Sequence, residues 1–137
     1  MFLAIDYGRK RIGLAVGQMI PKGADTIDAS DTAEAILAIA KLCVDQEIEK
    51  IIIGLPLRSQ GEKGTTAAEI EEFAAGLREV TKLEIAFEPE EFTSVEAAEL
   101  IKQSGKSFSR ASGKTDELAA MLILDRYLES NPIQEDD

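Results

Sequence analysis

Lys50-Ile51-Ile52-Ile53-Gly54 constrains the fold more than any other stretch of this chain. A continuous β-branched run has no polar face to turn to water, so a strand built from it must be covered on both sides. That requirement selects a parallel or mixed sheet with helices on both faces. Two strands precede it. Phe2-Leu3-Ala4-Ile5 runs straight into Asp6, and Gly8 with Arg9-Lys10-Arg11 then breaks the run. Ile12-Gly13-Leu14-Ala15-Val16 reads as a strand pairing back on the first.

The remaining elements follow from capping signals and periodicity. Gly23 to Asp28 is a short third strand, and Asp31 with Glu34 has capping-box spacing. The helix this opens places Ala35, Ile36, Ile39, Ala40, Cys43 and Val44 on one stripe. Leu55 to Gly64 is rich in breakers and reads as a loop. Thr66-Ala67-Ala68-Glu69 caps a second helix with Ile70, Phe73, Ala74 and Leu77 inward. Leu83 to Phe87 is a fifth strand, ended by Glu88-Pro89. Thr93 to Glu96 caps a third helix running through Ile101, and Gln103 to Gly113 is expected to be mobile. Thr115 to Leu128 is a helix apolar nearly all round, hence buried. The expectation is an α/β domain over residues 1–130, a five-stranded mixed sheet with helices on both faces, followed by an acidic disordered tail over 131–137.

Histidine is absent and Cys43 is the only cysteine, which excludes an intrachain disulfide and a Cys/His catalytic pair. Cys43 falls in an apolar helical pattern and belongs in the core, and a reducing cytoplasm is the natural compartment. Without imidazole, any metal should be hard and bound by oxygen, Mg2+ or Mn2+ before zinc. No apolar run approaches the roughly 20 residues of a membrane span, and Met1 leads directly into a strand rather than a signal peptide. The net charge of -11 argues at first against a nucleic-acid partner. The charges are uneven, however. Tyr7 to Ala24 contains no acid and four bases, Arg9, Lys10, Arg11 and Lys22. Leu100 to Thr115 is likewise free of acids and carries Lys102, Lys106, Arg110 and Lys114, while Arg58 stands in the loop after the fourth strand. Local fields of this kind outweigh the total charge where a cleft focuses them, although solvated loops also carry such bases.

Three carboxylates stand at element ends on one expected edge of the sheet: Asp6 after the first strand, Glu90 after the fifth, and Asp116 in the first turn of the long helix. Carboxylates so placed can converge on two metal ions about 3.5–4 Å apart that clamp the attacking and leaving oxygens of a phosphodiester. Each also has an ordinary structural reading. Asp6 can cap a turn, Asp116 can favour the helix dipole, and Glu88, Glu90 and Glu91 can be a solvated loop.

The motifs in order resemble one family. Leu3-Ala4-Ile5-Asp6-Tyr7-Gly8 with Lys10 to Val16 is similar to the opening of the YqgF family of ribonuclease-H-like proteins. Ile52 to Leu57 with Gly61 and Gly64, then Glu90 with Thr93 to Ala97, then Lys114 and Asp116 with Leu118 to Leu124, resemble its later blocks. Holliday junction resolution and, in bacteria, maturation of pre-16S ribosomal RNA are ascribed to that family. The resemblance implies a ribonuclease-H-like fold in which Asp6, Glu90 and Asp116 form the acidic metal-binding and catalytic triad. It implies Lys10, Arg11 and Lys114 as phosphate-facing residues, to which the loop base Arg58 is added. The implied partner is nucleic acid, structured RNA before branched DNA, with no membrane and a monomer or weak dimer as the working form. One departure stands out. The family's usual acid-glutamate-arginine run reads Pro89-Glu90-Glu91 here, losing a bidentate phosphate donor. A one-residue shift would let Glu88 take the place of the lost acid. The expected activity is metal-dependent endonucleolytic processing of pre-16S rRNA; the alternatives are resolution of DNA junctions, or a non-catalytic nucleic-acid-binding or ribosome-binding module of the same fold.

Overall fold

The computed structural model describes residues 1–18, 21–56, 66–90 and 114–131, with the backbone alone at residues 90 and 114–116. Strands β1 (Phe2–Asp6), β2 (Arg11–Gly17), β3 (Lys22–Asp28), β4 (Lys50–Pro56) and β5 (Glu84–Glu90) form one sheet in the order β3-β2-β1-β4-β5. β1, β2 and β3 pair antiparallel as successive hairpins, whereas β4 runs parallel to both β1 and β5. The helices are α1 (Thr32–Asp45), α2 (Ala67–Thr81) and α3 (Lys114–Ser130). Among the described residues no helix is long and apolar enough to cross a membrane.

Of the three expected caps, the two that fall within the described residues form. Asp31 accepts the Glu34 backbone N–H at 3.1 Å, and the Thr66 hydroxyl accepts that of Glu69 at 3.3 Å. Each satisfies an N–H that the helix cannot pair internally, a contribution of about 1 kcal/mol. Strand side chains alternate between faces. Leu3 and Ile5 of β1, with Leu14, Val16, Ile51, Ile53 and Ile85, pack on one side against the buried stripes of α1 and α2. Ala4, Ala15 and Ile52 turn to the other side and pack under Ala120, Ile123, Leu124 and Tyr127 of α3. β4 is therefore covered on both faces, as its isoleucine run demands.

Three expectations change. β4 and β5 continue past their expected ends, because Leu55 pairs with Pro89 and Pro56 with Glu90. Pro89 is accommodated since β5 is the last strand of the sheet, where a missing N–H need not break a ladder. Val44 is 78% exposed rather than inward. The buried stripe of α1 runs Ala35, Ile39, Cys43, and the next residue is rotated about 100° away from it. Cys43 itself is buried, as expected. The helix expected over 93–101, the mobile stretch 103–113, Arg58 and Glu91 all lie outside the described residues, as does the tail beyond Asn131. The Asn131 backbone N–H donates to the Tyr127 carbonyl at 2.8 Å and closes α3.

Candidate functional site

Asp6 is the one buried charged side chain among the described residues, 4% exposed at the end of β1. It alternates with Ile5 and so faces the α3 side, as Ala4 does. Oδ2 accepts no hydrogen bond among the described residues, although Asp6 is not without an interaction partner.

The register of the parallel strands decides what stands beside it. Ile5 is level with Ile53, so the next step puts Asp6 level with Gly54, and Gly54 is level with Glu88. Asp6, Gly54 and Glu88 thus form a row across three adjacent strands on the α3 side. The outer two backbones lie about 10 Å apart, from two strand spacings. Between them is a residue with no side chain. Glu88 is half-buried. Burial raises its carboxyl above the usual range, and the positive charge of Arg126 on α3 pulls it partly back.

The backbone of Glu90 sits two residues beyond Glu88, opposite Pro56 and so two residues past the level of Asp6. Pro89 has the opposite parity and pairs with Leu55, a residue packed against the α1/α2 core. The acid that the family's usual run would carry at position 89 therefore belongs to the far side of the sheet from Asp6.

Asp116 occupies the first turn of α3. Farther along the helix, Ala120, Ile123 and Tyr127 form the stripe applied to the sheet. The neighbouring Glu117 lies against β3, where a Cβ on Gly23 would meet its Cβ at 3.4 Å. At the other end, the Tyr127 ring meets Phe2 edge-on at 6.1 Å and lies beneath Lys50 Nζ at 5.2 Å. α3 is thus laid across the sheet from β3 toward β1 and β4. Of the three expected carboxylates, Asp6 is fully placed, while Glu90 and Asp116 are described by their backbone positions at the end of β5 and the start of α3. Among the described residues no three metal-ligating side chains are gathered.

Lys10 and Arg11 are exposed in the turn and at the start of the strand that follow Asp6, and Lys114 is the first residue of α3. Arg9 has a defined partner on α2. Its Nε donates to Glu69 Oε2 at 3.0 Å, and Nη2 donates to Oε1 of the same carboxylate. That hydrogen bond holds the Glu69 carboxyl below its ordinary range. The Tyr7 ring packs on Phe73 at 4.5 Å between centroids. The turn carrying Lys10 is therefore fastened to α2 at two points, and the charge of Arg9 is engaged within the protein. Sequence reasoning counted Arg9 among the basic residues without finding this partner, which is 60 residues away. The position of Glu88 was more accessible, because the alternation of Ile85 and Phe87 with Ala86 already assigns it to the Ala86 side.

The donor set is entirely oxygen. A buried carboxylate level with a half-buried one suits a hard divalent cation such as Mg2+ or Mn2+ and offers nothing to a soft one.

Comparison with known proteins yields concordant findings. Residues 1–130 match the RuvX family, described as Holliday junction resolvase. A Synechococcus elongatus protein named "Putative pre-16S rRNA nuclease" is 37% identical over 131 residues, spanning 93% of this chain and 87% of the relative. A Koribacter versatilis protein of the same name is 33% identical over 138 residues, spanning 98% and 90%. Among solved structures, T. thermophilus RuvC in complex with a Holliday junction substrate superposes with a TM-score of 0.63, covering 94% of each chain. At 13% identity that likeness speaks for the fold alone, which is ribonuclease-H-like as expected.

Proposed function

This chain belongs to the RuvX family, and from that membership we propose that it is a divalent-metal-dependent endonuclease that processes pre-16S ribosomal RNA. It is a hydrolase of the nuclease class. The observation that carries the metal reading is the burial of the Asp6 carboxylate, 4% exposed, at the strand end where this fold class places its ligands. Burying a charge there is costly unless it is compensated, and a cation compensates it most directly.

Asp6, Glu90 and Asp116 would hold the ion. Bound there, it would neutralise phosphate charge and make the attacking water more acidic. The chain's own residues do the rest. Lys10, Arg11, Arg58 and Lys114 attract and orient the phosphate backbone, and the Arg9–Glu69 and Tyr7–Phe73 contacts hold the turn that bears the first two. Lys10 and Arg11 need no movement of that turn to meet a backbone, since it is already fixed beside Asp6. The buried single thiol suits a reducing cytoplasm.

The test is cleavage of a pre-16S rRNA transcript by purified protein with manganese. Asp6→Asn should reduce the rate at least about a hundredfold, since charge stabilisation at such a site is worth several kcal/mol. Its circular dichroism should match the parent's. A variant as active as the parent would overturn the assignment, and faster cutting of a four-way DNA junction than of the transcript would move the substrate to branched DNA.

A further inference from the structure

We propose that Glu88 is a carboxylate of the same site, supplying the oxygen donor that faces Asp6 across Gly54. This rests on the metal-dependent reading above and deepens it. Three observations carry it. The first is register: Glu88 pairs with Gly54, and Gly54 follows the Ile53 that pairs with Ile5, so Glu88 and not Glu90 stands level with Asp6. The second is the side of the sheet: Glu88 shares the parity of Ala86, which packs with the α3 cluster beside Ala4 and Ile52. The third is the intervening residue. Gly54 has no side chain, so no side chain of β4 itself stands between Asp6 and Glu88, whose backbones are about 10 Å apart. With oxygen–cation distances of about 2.1 Å for magnesium, an extended aspartate and an extended glutamate span that gap through one ion.

The placement also explains the run Pro89-Glu90-Glu91. A residue at position 89 pairs with Leu55 on the α1/α2 side, so an acid there would face away from Asp6. Moving the acid back by one residue brings it onto the Asp6 side, and a proline can then follow because β5 is an edge strand. Arg126 on α3 is the described positive charge acting on Glu88. A purely structural role would therefore make Glu88 a tether for α3 rather than part of the site.

The deciding measurement is Mn2+ binding to the full chain by titration calorimetry, alongside thermal melting of the metal-free protein. Glu88→Gln should weaken Mn2+ binding at least tenfold while melting at or above the parent temperature, because a neutral amide is easier to bury than a carboxylate. Asp6→Asn should weaken binding at least as much. If Glu88→Gln binds Mn2+ like the parent and instead melts early to the same extent as Arg126→Gln, Glu88 is a tether and the proposal fails. In that case the loss of binding in Asp6→Asn leaves the metal reading standing. A parent chain that takes up no Mn2+ would overturn both.

Discussion

On the α1/α2 side the sheet presents Leu3, Ile5, Leu14, Val16, Ile51 and Ile53; on the α3 side the same strands present Ala4, Asp6, Gly13, Ala15, Ile52 and Gly54. The first set is large and branched, and two helices pack over it to form most of the apolar core. The second is small apart from Ile52, with Phe2 at the far end of β1 meeting Tyr127. Small residues let one helix lie close to the backbone, and Gly23 under Glu117 continues the pattern onto β3. The difference teaches that the bulk of the apolar packing and the buried carboxylate of Asp6 lie on opposite sides of one sheet. Bulk on the first side fills volume. Its absence on the second lets α3 lie close to the sheet over Ala4, Ala15 and Ile52.

That division can be broken by substitution. The largest stability effect should come from Ile53→Ala, which empties a fully buried site on the α1/α2 side. A loss of about 2–5 kcal/mol is expected in urea unfolding, with cleavage per folded molecule unchanged. Ala15→Leu should cost less, about 1–3 kcal/mol by overpacking beneath α3, yet reduce cleavage more because it displaces that helix. Equal effects of the two variants on cleavage would erase the distinction between the faces. The smallest effect concerns Cys43, whose thiol is pushed by burial from 9.0 to about 11. The folded chain holds this proton to higher pH than the unfolded chain, so stability is intact below pH 9 and falls as pH rises toward 11. By pH 10 the loss is about 1 kcal/mol, and Cys43→Ala should remove that part of the alkaline slope while starting from a lower baseline.

Much of this architecture was legible before any coordinates. The isoleucine run of β4, the hairpin at Gly8 to Arg11, the caps at Asp31 and Thr66, and the burial of Cys43 are local patterns whose physics acts over a few residues. The big-small alternation Ile12-Gly13-Leu14-Ala15-Val16 also encodes the unequal faces, had it been read as a difference in size rather than only as a strand. Val44 went astray because a helical stripe narrows when two helices share a sheet, leaving one flank of α1 in water.

The chain's own letters determined the five strands and three helices of the described residues, the burial of Cys43, and the place of Asp6 at a strand end. Tertiary structure alone decided that Glu88 is level with Asp6, that position 89 faces the other way, and that Arg9 is engaged by Glu69. The physical reason is that alternation along one strand is local, whereas the register between strands and the partner of a surface charge are set by pairing between segments far apart in the chain.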